Sequence, residues 1–176
     1  MEPTFLLQRI AESFPRAPQP EMTLRQTQLA DQSLSKEISL VEWETEGLKD
    51  RSLSWIQIPD EQLIECEAGI SHLDEDAFVY YLPAFLQFAV RHIDVGIAGS
   101  EGTLMNAIIF AVTNLSNYTL GRLKRLNEPQ IACVTEFLQF IAQNSETYGK
   151  DAVEALKDYW LTPDEKRKTI IQIHVP

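Results

Sequence analysis

His72 and the acids around it form the first group of residues that could do chemistry. His72, Asp74 and Asp76 make an HxDxD string, and Glu65 and Glu67 lie shortly before it. Imidazole nitrogens and carboxylate oxygens are both ligands for divalent ions. The set follows no recurring metal-site spacing, however, and Asp74 is well placed to cap a helix whose first turn favours acids. We therefore predict no bound metal and no cofactor.

His92 is the second candidate, as a general base. Buried beside Tyr81 or Arg91, it could move a proton for a small hydrolase, with neighbouring carboxylates completing the acid and base pair. This hypothesis, which applies equally to His72, predicts a concave site where a histidine meets a carboxylate and a tyrosine hydroxyl. A histidine at a helix end near the surface is the more common situation. A hydrolase is therefore the alternative function, and we assign no catalytic residue.

A glycine-rich segment, GIAGSEG, places Gly96, Gly99 and Gly102 around Ser100. Glycine-rich loops can bind phosphate, and a serine on a sharp turn can serve as a nucleophile. The segment contains no GxGxxG, GKS, GKT or GxSxG pattern. A flexible connector between two helices explains these glycines better.

The charge of the chain is strongly negative and unevenly distributed. The formal net charge is −11, and residues 37–76 hold twelve acids against only two bases, Lys49 and Arg51. Because nucleic-acid affinity comes largely from Lys and Arg, direct binding to DNA or RNA is not expected. The same field would attract a basic protein partner, and Glu42, Glu44 and Glu46 are the candidate docking acids. The alternative is a solvated acidic face that keeps the protein soluble.

Apolar spacing and capping residues predict a mainly α fold, a single-domain helical bundle over residues 1–161 followed by a tail at 162–176. Thr23, Asp74 and Asn127 are the predicted N-caps. Residues 39–67 give no clear pattern apart from an acidic stretch of one or two helical turns. Helices are predicted at about 5–14, 23–38, 74–93, 101–113, 117–126, 127–141 and 150–161.

A proline lies inside the most strongly patterned of these helices. The helix has one apolar stripe, formed by Phe78, Leu82, Phe85, Ala89 and Ile93. Pro83 removes a backbone hydrogen bond and clashes with the preceding turn, so the helix is predicted to kink or to divide in two. Tyr80 and Tyr81 lie at that break, and with Pro83 they form a candidate groove for a partner. Together with Trp55 and Trp160 they could also line an apolar pocket, although such aromatics more often belong to the core.

Two β-like segments stand apart from the helical pattern. These are LSWIQIP at residues 53–59 and TIIQIHVP at the end of the chain. They could pair as a small two-stranded ribbon packed on the helices. Alternatively, the tail could be ordered by a neighbouring copy, so the sequence leaves monomer and homodimer open.

The compartment is predicted from the cysteines and from the absence of targeting signals. Cys66 and Cys133 form no CxxC pair and no disulfide framework. The first ten residues do not resemble a secretion signal, and no apolar stretch is long enough to span a bilayer. We therefore predict a cytoplasmic protein with no membrane contact.

Several segments together resemble a known family. They are LDEDAFVYYLPAFLQFAV, Trp55 upstream of it, LNEPQIACVTEFL downstream, and AVEALKDYW near the end. In this order the chain resembles, over roughly residues 5–160, an uncharacterised bacterial family, a domain of unknown function with a YYLPAFL-like core. The resemblance implies a bacterial helical domain and assigns no activity. With no catalytic constellation in the sequence, we predict a non-catalytic protein-interaction module, similar in role to an immunity protein or an adaptor.

Overall fold

A computed structural model describes residues 1–15, 17–51 and 53–175 of the chain. Within these ranges the chain forms eleven α-helices and no β-strand. The helices are α1 (Pro3–Ser13), α2 (Leu24–Gln32), α3 (Leu40–Asp50), α4 (Asp60–Glu65), α5 (Gly69–His72), α6 (Glu75–Arg91), α7 (Gly99–Thr113), α8 (Asn117–Leu123), α9 (Glu128–Asn144), α10 (Gly149–Ala155) and α11 (Asp164–His174). A 3₁₀ turn at Trp55–Gln57 precedes α4, and a π-helical turn at Leu156–Trp160 follows α10. The mainly α prediction is confirmed.

Helix α6 is the centre of the fold. Twelve of its residues are buried, and it packs against α1, α7, α8 and the 3₁₀ turn. The predicted stripe is the reason, because Phe78, Leu82, Phe85 and Ala89 are all fully buried. Burying one such large apolar side chain contributes about 1.5–3 kcal/mol relative to leaving it exposed. Around this axis, α9 packs against α1, α10 and the π-helical turn, which extends the same core.

Of the two alternatives predicted at Pro83, a kink or a division of the central helix, the division is wrong. Helix α6 continues from Glu75 to Arg91 with Pro83 inside it and buried. The missing hydrogen bond and the steric conflict cost about 3 kcal/mol in an isolated helix. Here the large apolar residues on both sides of the proline are buried in one core, and their combined burial outweighs that cost.

The predicted β ribbon is also wrong. LSWIQIP contains the 3₁₀ turn, in which Trp55 is buried, and most of the tail forms α11. The tail looked β-like because of its isoleucines, but the helix begins earlier, in the DEKRK segment. There Lys168 lies 2.6 Å from Asp164 one helical turn away, and Arg167 Nη1 donates to the Thr162 carbonyl at 2.8 Å. These contacts favour a helix from its first turn onward.

The three predicted N-caps are confirmed. Thr23 and Asn127 each form a capping box with the glutamine three residues later. The Asp74 carboxylate accepts the Ala77 N–H at 2.8 Å. The helices predicted after residues 100, 116 and 127 are present as α7, α8 and α9, whereas α2 ends at Gln32, short of the predicted end at 38. Cap positions were therefore easier to predict than helix ends, because a cap is a local hydrogen bond.

Candidate functional site

Helix α3 occupies part of the acidic segment in which no clear element was predicted. Its N-cap is Ser39, whose hydroxyl accepts the Glu42 N–H at 3.1 Å. The Ser-x-x-Glu spacing is a known helix-start pattern, and it was the signal in the sequence that could have revealed this helix. Gly47 and the high glutamate content obscured the pattern, because neither supports a buried stripe.

Helix α3 is attached to α2 through close backbone approach and polar contacts. Gly47 is one of only two buried residues in α3. A Cβ atom added at Gly47 would lie 2.5 Å from Nε2 of Gln26 on α2. That same Nε2 donates to the Trp43 carbonyl at 3.1 Å, while Gln26 Oε1 accepts the Thr23 N–H at 3.0 Å. One glutamine thus caps α2 and holds α3 against it.

Asp50 is the second buried residue of α3 and the main polar contact at its end. Its side chain, 3% exposed, accepts the Arg25 N–H at 2.7 Å and the Gln62 side-chain amide at 2.7 Å. It also lies 3.4 Å from the Arg25 guanidinium, and its carbonyl accepts Gln19 Nε2 at 2.9 Å. Burial raises the pKa of Asp50, and these hydrogen bonds oppose the shift without cancelling it.

The side of α3 that faces away from α2 is apolar and exposed. Leu40, Val41 and Leu48 are 70%, 73% and 68% exposed. Leu40, Glu44 and Leu48 follow each other at intervals of four, so they lie on one side of the helix, next to Val41. We call these four residues the α3 outer face. Leu34, in the turn before α3, is exposed as well. No described helix covers this face, which makes it a candidate docking surface.

The three predicted docking acids differ in their surroundings. Glu42 lies 3.2 Å from Lys36, and Glu46 lies 3.7 Å from Arg25 and contacts Lys49. Both also line a polar cavity of about 240 Å³ between α2 and α3. Glu44 is exposed, and among the described residues it forms no ion pair. Only Glu44 therefore has a charge that is free on the α3 outer face.

The three residues predicted around the proline break are not gathered in one groove. Tyr81 and Pro83 are buried in the core, where burial raises the pKa of Tyr81. Tyr80 lines the largest of five described cavities, about 580 Å³, together with Trp55 and the loop at 17–21. We call it the loop cavity. Trp160 lies elsewhere and donates its indole N–H to the Val112 carbonyl at 2.8 Å.

The loop cavity is acidic on one side. Glu21, Asp74 and Asp76 line it, with Arg125 as the only base in its wall among the described residues. Arg125 is paired with Asp76 at 2.5 Å, and this contact raises the pKa of the arginine. The cavity thus combines buried aromatic rings with excess carboxylate. Such a lining suits a cationic side chain.

Both histidines contact carboxylates but do not meet the geometry of the hydrolase hypothesis. His72 Nε2 lies 3.1 Å from Asp31, and His92 Nε2 lies 3.0 Å from Asp60. Burial favours the neutral form of Asp60, but hydrogen bonds from Arg91 and His92 outweigh this effect and lower its pKa. Within the described part of the chain, neither ring contacts a tyrosine hydroxyl or lines one of the five cavities.

The HxDxD residues point to separate partners. His72 contacts Asp31, Asp74 caps α6, and Asp76 pairs with Arg125. Across the described ranges, no three His, Cys, Asp or Glu side chains are placed to hold a metal ion together. The string is therefore explained by the start of α6.

Both cysteines are buried and unpaired. Burial raises the pKa of Cys66 to about 12 and that of Cys133 to about 11, so both thiols are protonated and unreactive near neutral pH.

In the described part of the chain, none of the helices combines the length and apolarity that crossing a bilayer requires.

The chain belongs to a family of unknown function (DUF6714), whose model matches residues 4–163. This finding agrees with the resemblance seen in the sequence. No curated protein and no solved structure matches the chain.

Proposed function

We propose that this family member is a non-catalytic protein-interaction module whose α3 outer face binds a basic amphipathic helix of a partner protein. One observation carries the proposal: α3 leaves Leu40, Val41 and Leu48 exposed on one side while polar contacts hold its other side in place. Scattered exposed apolar residues are ordinary, but several on one face of a well-anchored helix are typical of a docking surface. Its role would resemble that of an immunity protein or an adaptor.

The charge around α3 determines the kind of partner. Glu44 lies within the apolar face and forms no ion pair with any described residue, and Glu37 is exposed just before the helix. A partner helix with leucines on one face and lysines or arginines beside them would complement both properties. Two copies of α3 packed on each other would bring two Glu44 side chains together. Like charges therefore disfavour a homodimer through this face.

The loop cavity supports the same class of partner. Gln19 donates to the Asp50 carbonyl, and Arg51 Nη2 donates to the Glu21 carbonyl at 3.2 Å. These bonds tie the loop that lines the cavity to the C-terminal end of α3. A lysine or arginine of the bound partner could enter the cavity and contact Asp74 or Asp76. With two unpaired, protonated thiols, we expect the protein to act in the cytoplasm, a reducing compartment.

A designed peptide tests the proposal directly. The probe is an 18-residue peptide of leucine and lysine, arranged so that one helical face is apolar, with a fluorophore for anisotropy. We expect a Kd on the order of micromolar at low salt, weakening as salt screens the charges. The matched peptide has the same composition in scrambled order, and we expect it to bind at least tenfold more weakly.

Charge variants locate the binding surface. Glu44→Lys should weaken peptide binding at least tenfold and should reduce its salt dependence, because it reverses the negative charge that lies within the α3 outer face. Glu146→Lys changes an exposed acid in the turn before α10 and serves as the control. Equal binding of the two peptides, or equal effects of the two variants, would show that only the net charge matters, and the proposal would be wrong. Concentration-dependent dimerisation through α3 in sedimentation experiments would also contradict it.

A further inference from the structure

A second surface feature, unrelated to α3, lies between α5 and the α7–α8 region. It consists of two adjoining cavities of about 270 and 350 Å³. They share Ser71, Ala107 and Phe110 in their walls. We call the pair the α7 groove. Its combined size falls in the range of small-molecule sites.

Arg122 lines one end of the groove and is an unusual arginine. It is 4% exposed, and its guanidinium carbon lies 4.5 Å from the ring centroids of both Phe78 and Tyr118. Nη1 donates to the Ile70 carbonyl at 2.8 Å, but Nε is buried and has no hydrogen-bond partner in the part of the chain that the structure describes. Among the described residues no carboxylate pairs with this charge, and burial lowers the pKa of Arg122.

The two rings and one carbonyl leave part of the cost of burying Arg122 uncompensated. Removing an ion from water is costly, and the two cation–π contacts and the one hydrogen bond offset only part of that cost. The Nε side of a guanidinium is one of the edges that can bind a carboxylate in bidentate fashion. An incoming carboxylate would therefore supply the missing acceptor and the missing charge.

Glu67 lines the other end of the groove and has the opposite deficiency. Its Oε2 atom is enclosed and has no hydrogen-bond partner within residues 1–15, 17–51 and 53–175. An ionised carboxylate can only accept hydrogen bonds, so it needs a donor, and an ammonium group provides both donors and the complementary charge. In the described ranges no lysine, arginine or histidine pairs with Glu67.

The wall between the two charges is partly apolar. Phe110 is 56% exposed and lines both cavities together with Ala107. Glu67 lines one of the two cavities and Arg122 lines the other, so the two charges lie at different ends of the groove. The amine and the carboxylate of a single α-amino acid are attached to the same carbon atom. A chain of two or three residues, at about 3.3–3.6 Å per residue, spans a longer distance.

We propose that the α7 groove binds a short apolar peptide with free termini, its C-terminal carboxylate on Arg122 and its N-terminal ammonium on Glu67. The apolar side chains lie against Phe110. Binding gives a hydrogen-bond partner to Arg122 Nε and to Glu67 Oε2, two of the buried atoms that lack one among the described residues. This site is independent of the α3 outer face, and its test does not depend on a protein partner.

The test uses the tripeptide Ala-Phe-Ala as a probe of the full chain, followed by calorimetry and by the side-chain Nε–H resonance of Arg122 in ¹⁵N-labelled protein. We expect saturable binding and a downfield shift of that resonance, because a carboxylate accepts its proton. The N-acetylated and C-amidated forms each remove one terminal charge. Each should bind at least tenfold more weakly than the free peptide.

Glu67→Gln tests the Glu67 end of the groove alone, because it removes the charge and keeps a side chain of nearly the same size. It should weaken Ala-Phe-Ala at least tenfold and should leave the affinity of the N-acetylated form unchanged. Glu61→Gln, an exposed acid on α4, is the matched control and should bind as the native protein does. Arg122→Lys should abolish binding, and the peptide series keeps the proposal testable even if that variant unfolds.

Three results would overturn the proposal. First, the free and the N-acetylated peptides could bind with equal affinity, which would show that Glu67 does not bind the N-terminal ammonium. Acetate or inorganic phosphate could shift the Arg122 resonance with the same affinity as the peptide, which would indicate a simple anion site. Finally, the resonance could stay unchanged at millimolar peptide, which would show that the groove does not receive it.

Discussion

Helices α3 and α6 use apolar residues in opposite ways. Helix α6 buries twelve of its seventeen residues, while α3 buries two of eleven and exposes three large apolar side chains. Both are well capped, by Asp74 and Ser39. The difference lies in what holds each helix to the rest of the protein. Apolar burial fixes α6, whereas Gln26 and Asp50 fix α3 and leave its apolar face available.

The strongest test of this comparison is the removal of a large side chain from each helix. Phe85→Ala in α6 removes a fully buried ring, and we expect the free energy of unfolding to fall by about 3–5 kcal/mol. Leu48→Ala in α3 removes an exposed side chain and should change it by less than about 0.5 kcal/mol. Urea unfolding of the two variants measures both values. A large loss from Leu48→Ala would show that α3 is also held by apolar burial.

The next largest loss of stability should come from the removal of the Asp50 carboxylate. Asp50→Ala leaves the Arg25 N–H and the Gln62 amide without their acceptor. We expect the free energy of unfolding to fall by about 2 kcal/mol, and not by more, because the Arg25 side chain retains access to water. Hydrogen exchange should then show faster opening of α3 but not of α6. Asp151→Ala on the exposed side of α10 is the control and should have little effect.

The charge of Asp50 also predicts a pH dependence. Burial raises its pKa above the ordinary 3.8, so the folded protein binds this proton more tightly than the unfolded chain. Stability from this group is therefore greatest below the unfolded pKa and falls as pH rises through the folded pKa. Asp50→Asn lacks this proton, so its cost in stability relative to the native protein should shrink as pH rises from below the ordinary pKa of 3.8 through the raised pKa of the folded state. A cost that grows over this range would contradict the assigned direction.

A smaller loss of stability is expected when the N-cap of α2 is removed. Thr23→Ala removes the hydroxyl half of the α2 capping box and should cost about 1 kcal/mol. Thr45→Ala, at an exposed position of α3, removes a hydroxyl that donates to a carbonyl of its own helix, that of Val41, at 2.7 Å. It should change stability by less than about 0.5 kcal/mol, and thermal unfolding distinguishes the two.

The same comparison explains how far the sequence could predict the fold. The core of α6 and the caps at Thr23, Asp74 and Asn127 depend on local spacing and local hydrogen bonds, and both were predicted. Pro83 was read as a break because its cost is local, whereas the burial that offsets it comes from distant helices. Helix α3 was missed because its attachment depends on Gln26 and Asp50, whose partners are far away in the sequence.

The candidate sites were predicted less well than the fold. The distribution of charge along the sequence identified the acidic segment. Only the structure distinguishes Glu44 from Glu42 and Glu46, which form ion pairs. The apolar part of the α3 outer face gave no signal, since Leu40, Val41 and Leu48 look like core residues in sequence. Arg122 and Glu67 were not predicted as a pair, because their shared groove depends on how α5 packs beside α7 and α8.

The most direct test of the central claim measures stability and binding on one variant. Leu40→Ser with Leu48→Ser changes only the α3 outer face, and Ile173→Ser, 72% exposed on α11, is the control. We predict that the double variant unfolds within about 0.5 kcal/mol of the native protein yet binds the amphipathic leucine and lysine peptide at least tenfold more weakly. A large loss of stability, or unchanged affinity for the peptide, would show that this face is not a docking surface.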